Sequence, residues 1–117
     1  MKSIITLPYP DGSELLPLYS QNAAALYLVR LTSDLTRKTM LEALNKIAAL
    51  DDKDAFSLDW AQLRYQHTAA IRSRLAADYA PATANKVLSA LRGVLKEAWR
   101  LGQMSAEDYQ RAVDLEN

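Results

Sequence analysis

One stretch constrains this chain more than any other: Ala80-Pro81-Ala82-Thr83-Ala84-Asn85-Lys86-Val87-Leu88-Ser89-Ala90-Leu91-Arg92-Gly93-Val94-Leu95-Lys96-Glu97-Ala98-Trp99-Arg100-Leu101-Gly102. It carries its own start and stop signals. Pro81 suits the first helical position, where its missing N–H has no partner to lose. Gly102 suits the left-handed position just past the end. At about 100° per residue, Ala84, Val87, Leu88, Leu91, Val94, Leu95, Ala98 and Leu101 fall on one side. Asn85, Lys86, Ser89, Arg92, Gly93, Lys96 and Arg100 fall on the other, and Glu97 lies at that face's edge. The pattern predicts a helix with one apolar face for a core and one cationic face for a partner.

The remaining segments are also helical in pattern. Asn22 is placed to cap a helix over 22–31, which Thr32-Ser33-Asp34 ends. Thr36 caps a second helix, with Leu35 and Met40 spaced for a hydrophobic staple. Its stripe is Met40, Leu41, Leu44, Ile47, Ala48 and Leu50, and Asp51-Asp52-Lys53-Asp54 is a polar loop. Ser57 caps a third helix with Asp59 in its first turn, where a carboxylate suits the helix dipole. Trp60, Leu63, His67, Ala70, Ile71 and Leu75 form its buried face, with His67 a partly buried, hydrogen-bonded core residue. That helix ends near Tyr79-Ala80, because Pro81 disfavours helical geometry in the residue before it. Ser105 caps a short last helix reaching about Leu115. Residues 1–19, with Pro8, Pro10, Pro17 and the Asp11-Gly12 turn signal, read as an extended arm with Ile4-Ile5-Thr6-Leu7 strand-like; residues 20–117 are the folded domain. The expected fold is all-α: a compact four- to five-helix orthogonal bundle. Its expected core includes Leu44, Ile47, Leu63, Ile71, Leu88, Leu91 and Leu95.

Composition excludes several chemistries. With no cysteine and one histidine among 117 residues, neither a disulfide framework, a thiolate metal site nor a two-histidine site is available. No Gly-rich phosphate loop and no paired acid and base stand out, and the acidic loop lacks calcium-ligand spacing. The expectation is no catalytic residue, no metal and no cofactor. No apolar run of membrane-spanning length and no signal peptide is seen, so no membrane partner and a cytoplasmic setting are expected. Net charge is zero and the isoelectric point is near 6.6, which alone argues against a nucleic-acid binder. The distribution argues for one. From Thr36 to Leu101 eleven Lys/Arg face seven Asp/Glu, whereas the rest of the chain holds three against seven. Arg37, Lys38 and Thr39 fall in the expected first turn of the second helix, where free N–H groups suit phosphate.

Three segments in order resemble the core-binding domain of phage integrases, the tyrosine-type site-specific recombinases. They are Leu35-Thr36-Arg37-Lys38-Thr39-Met40-Leu41-Glu42-Ala43-Leu44, a Ser/Thr-capped basic helix, and Phe56-Ser57-Leu58-Asp59-Trp60-Ala61-Gln62-Leu63. The third runs from Ala80 through Thr83, Asn85, Leu91 and Arg92 to the basic-aromatic Lys96-Glu97-Ala98-Trp99-Arg100-Leu101-Gly102. The likeness covers about residues 22–115. It departs at Ala80, where that family usually has a serine cap. The resemblance implies a SAM-like bundle forming one half of a clamp on a duplex core recombination site, working beside other integrase protomers. In that family the other half is a catalytic domain with a tyrosine nucleophile, which would lie beyond Asn117. The expectation is therefore a non-catalytic DNA-binding fragment whose contacts are Arg37, Lys38, Thr39, Arg64, Thr83, Asn85, Lys86, Ser89, Arg92, Lys96 and Arg100. Cations would neutralise phosphates, while Thr39, Asn85 and Ser89 would reach base edges. The alternative is a helical protein–protein interaction or regulatory module with no DNA role.

Overall fold

The computed structural model describes residues 21–116, and the expected N-terminal arm lies outside them. Among the described residues there are five α-helices and no strand: α1 (Ala23–Val29), α2 (Asp34–Ala48), α3 (Tyr65–Asp78), α4 (Pro81–Arg100) and α5 (Ala106–Ala112). Short 3-10 turns follow α2 and precede α3.

Helix α4 is the axis of the fold and packs against all four others. Ala84, Val87, Leu88, Leu91, Val94, Leu95 and Ala98 are buried, as the periodicity requires. Leu44, Ile47 and Ala48 of α2, Leu28 of α1, Leu75 of α3 and Ala112 of α5 close the core around it. Pro81 is the first residue of α4, Ala80 supplies no side-chain cap, and Gly102 takes φ 76° just past the end. Asn22 and Ser105 accept the N–H groups of Ala25 and Asp108, capping α1 and α5 as expected. Helix α5 stops at Ala112, three residues short of the expected end.

Two helix starts differ from expectation. Ser33, not Thr36, caps α2: its Oγ accepts the Thr36 N–H at 3.3 Å. A serine three residues nearer the preceding helix does the same chemistry and shortens the connection. Leu35 therefore lies inside the first turn and is 75% exposed, so no staple to Met40 forms. Ser57 caps no helix. Asp54 Oδ1 accepts the N–H groups of Phe56 and Ser57, folding the segment into a side-chain-stabilised turn. Asn45 Oδ1 takes the Ala55 N–H at 2.8 Å, and the Trp60 indole N–H donates to the Ala55 carbonyl at 2.8 Å. These tertiary bonds hold the chain off the helical path, and α3 begins only at Tyr65.

That late start changes the face of α3. Leu75 is buried, but Leu63 and Ile71 are half-buried and His67 is exposed. His67 is thus not a core histidine: its Nδ1 accepts the Arg64 N–H at 2.9 Å and closes the first turn of α3. Leu50, expected in the α2 stripe, is exposed because the 3-10 turn carries it past the helix end.

Candidate nucleic-acid interface

The cationic face of α4 is present, and one of its cations, Arg92, is drawn into a tertiary contact. Lys86, Ser89, Lys96 and Arg100 are exposed, while Thr83, Asn85 and Arg92 are half-buried. Arg92 donates from one terminal nitrogen to the Leu115 carbonyl, so it also holds the segment after α5 against α4. Asn85 borders a recess with Arg72, Tyr79 and Leu88. Thr83 lies on the opposite side of Lys86 from Ser89 on the helix wheel, about 120° from Ser89.

Gly93 is not a gap in a solvated face. A Cβ there would stand 2.3 Å from Cε1 of Tyr27, because the Tyr27 ring of α1 lies directly on the glycine. Helix α1 therefore covers the edge of the polar face where Gly93 and Glu97 sit. Burial there pushes the Tyr27 phenol above its ordinary 10.0, since the phenolate would lose its water.

Glu97 is 3% exposed, the one fully buried acid among the described residues. Its Oε1 accepts hydrogen bonds from Nη1 of Arg30 and from Nη1 of Arg100, each at 2.7 Å. The outward arc of α4 from Lys86 to Arg100 thus carries cations and polar groups, with its acid turned inward beneath α1. Arg100 is partly neutralised by this pairing.

The α2 residues behave differently from expectation. With α2 starting at Asp34, Arg37, Lys38 and Thr39 lie beyond the first three helical positions and so beyond the free N–H groups. The expected phosphate cradle at that terminus does not form from them. Arg37 instead donates from Nε to the Leu28 carbonyl at 3.0 Å, from a second nitrogen to the Leu31 carbonyl, and from Nη1 to Asp34 at 2.6 Å. It satisfies the end of α1, where C-terminal carbonyls need donors. Lys38 is exposed and Thr39 is half-buried. Arg64 lies elsewhere, donating to the Ala61 and Leu63 carbonyls and standing 3.5 Å from Asp108.

The structure therefore brings Lys86, Ser89, Lys96 and Arg100 onto one surface. It links Arg37 to that surface's α1 corner through Leu31, which lines a recess with Lys96 and Arg100. It keeps Arg64 apart. Arg30 was absent from the sequence-based set, and nothing local marked it; the glycine at mid-helix on α4 was the one signal that another element approaches there. Among the described residues no group of three or more His, Cys, Asp or Glu side chains is placed to hold a metal ion, and no helix is long and apolar enough to cross a membrane.

A second surface feature is apolar. A groove of about 560 Å³ between α2 and α3 is lined by Ile47, Leu50, Leu58, Leu63, Ala70 and Ile71 among others. Asp51, Lys53, Asp59, His67 and Arg74 rim it.

Comparison with known proteins finds no matching family model, no matching curated protein and no matching solved structure.

Proposed function

We propose that this chain is a duplex DNA-binding module of the kind found in the core-binding half of tyrosine-type recombinases, with a SAM-like bundle, and that it performs no chemistry of its own. The observation that supports this reading best is the outward arc of α4. Lys86, Lys96 and Arg100 project from the most firmly packed helix of the molecule, and the acid of that stretch is buried. Cations fixed along a rigid helix set register on a phosphate backbone, and Ser89 and Asn85 between them offer donors and acceptors for base edges. Arg92 and Thr83 flank the same surface. A core-type recombination site is the duplex this module would engage, beside further protomers of the recombinase.

Fluorescence anisotropy with a labelled duplex tests the proposal. The expected Kd is about 10⁻⁴–10⁻⁶ M at physiological salt, the range of non-specific binding, and it should weaken steeply as salt rises. Lys86→Glu with Lys96→Glu should abolish measurable binding while leaving the thermal unfolding midpoint nearly unchanged, because both side chains face water. Absence of binding by the folded wild-type protein at low salt would remove the proposal.

The groove between α2 and α3 favours the second reading, a protein–protein interaction module. Its lining is mainly apolar, and Leu50 at its edge is exposed. That reading predicts association insensitive to salt and unaffected by the α4 charge reversals.

A further inference from the structure

We propose that Arg30, Lys96 and Arg100 form a discrete binding site for one backbone phosphodiester of duplex DNA, and that buried Glu97 is the positioning residue that holds its two arginines in place. The proposal rests on the DNA-binding reading above and adds to it a site, a residue from a second helix and a role for an acid.

Arg30 caps the C-terminal end of α1 and Arg100 closes α4, so the two guanidiniums reach the same point from different elements. Both contact the same oxygen, Glu97 Oε1, and Arg30 also reaches Oε2 at 3.4 Å. The carboxylate is 3% exposed, whereas the arginine side chains are 55% and 40% exposed. A buried anchor with exposed forks leaves the arginines oriented before any ligand arrives. An arginine held in this way loses less rotamer freedom when it binds. Lys96, one residue before the anchor, is exposed and borders the same recess of about 270 Å³. One carboxylate against three cations leaves the cluster net positive. Tyr27 seated on Gly93 forms the recess wall and fixes α1 against α4 at this point. The planar forks suit bidentate recognition of a phosphate, and two positive charges remain in excess to attract it. A simple stabilising ion pair between α1 and α4 needs only one arginine; the second guanidinium and the adjacent lysine are what point outward to an anion.

The two roles give opposite signs on one substitution. If Glu97 merely adds negative charge near the interface, Glu97→Gln tightens DNA binding. If it positions the arginines, the same substitution weakens binding although the protein becomes more positive. The experiment is anisotropy titration of a labelled duplex across a salt series, with unfolding midpoints recorded for every variant. Arg30→Gln should weaken binding by about three- to tenfold at low salt and lower the salt slope by about one unit. Arg30→Lys, which keeps the charge but loses the fork, should restore the slope and recover only part of the affinity. Glu97→Gln should weaken binding in protein that remains folded; should it fail to fold, the Arg30 pair of variants decides the matter. Lys53→Gln, which removes an exposed cation from the loop after α2, should bind as wild type. Wild-type affinity in Arg30→Gln, or tighter binding by Glu97→Gln, overturns this site while Lys86→Glu still weakens binding and the DNA reading stands. No duplex binding by the wild-type protein overturns both.

Discussion

Gly93 shows how a single missing side chain decides a helix–helix contact. Glycine inside a helix ordinarily costs about 1 kcal/mol relative to alanine, so replacing it would normally stabilise. Here the added Cβ would meet the Tyr27 ring at 2.3 Å, and the ring must leave the surface it covers. Overpacking of this kind costs about 1–3 kcal/mol, enough to exceed the propensity gain. Gly93→Ala should therefore destabilise the wild-type protein, yet stabilise a Tyr27→Ala background by about 1 kcal/mol. A double-mutant cycle by chemical denaturation measures both signs. Tyr27 also makes stability depend on alkaline pH. Its folded pKa lies above 10.0, so the native state retains a proton that the unfolded state gives up. Stability should fall as pH rises through about 10 and keep falling until the folded phenol ionises. Tyr27→Phe should flatten that limb, as read from unfolding midpoints between pH 9 and 11.

The elements differ in how locally they are specified. Helix α4 has Pro81 at its start, Gly102 past its end and an unbroken apolar stripe between, and it forms where the pattern places it. Helix α2 offers two capping residues, Ser33 and Thr36, and only one can be used. The structure uses Ser33, so Ser33→Ala should cost about 1 kcal/mol, whereas exposed Thr36→Ala should stay within about 0.5 kcal/mol. Equal costs, or a larger one at Thr36, would mean that the helix begins three residues later. Helix α3 shows the opposite extreme. Ser57 followed by Asp59 is a sound capping pattern, but Asp54, Asn45 and Trp60 capture the surrounding backbone and delay the helix to Tyr65. His67 then serves at the new terminus instead of in the core.

Across the whole molecule, the end of α5 and the segment after it are held by hydrogen bonds from two arginines and a threonine, together with the packing of Val113 and Leu115 on the core. Arg72 donates to the Glu116 carbonyl, Arg92 to the Leu115 carbonyl, and the buried Thr68 hydroxyl to the Ala112 carbonyl at 2.7 Å. Acidic residues 114 and 116 thereby come to rest beside the basic middle of the chain, and the charge asymmetry of the sequence becomes a neighbour relation in space. Thr68→Val keeps the shape and removes the buried donor. It should cost about 1–3 kcal/mol, and amide exchange should quicken first at α5. Uniform protection loss over all helices would instead mean that α5 does not open independently.

The sequence by itself determined that the described chain is helical, where α4 starts and stops, which of its faces is buried, and that lysine and arginine line the other. Those features follow from 3.6-residue periodicity and from residues whose backbone chemistry acts locally: Pro81, Gly102, Asn22 and Ser105. Only the tertiary structure decided which cations remain outward-facing. Arg37 and Arg92 are drawn to carbonyls of other segments, and Arg64 to Asp108 and its own preceding turn. Glu97, at the edge of a polar face in sequence, is buried because α1 lies over it, and it gathers Arg30 from sixty-seven residues away. Periodicity tells which side of a helix faces the core. It carries no information about a second helix crossing the polar edge, because that contact depends on packing between segments remote in sequence.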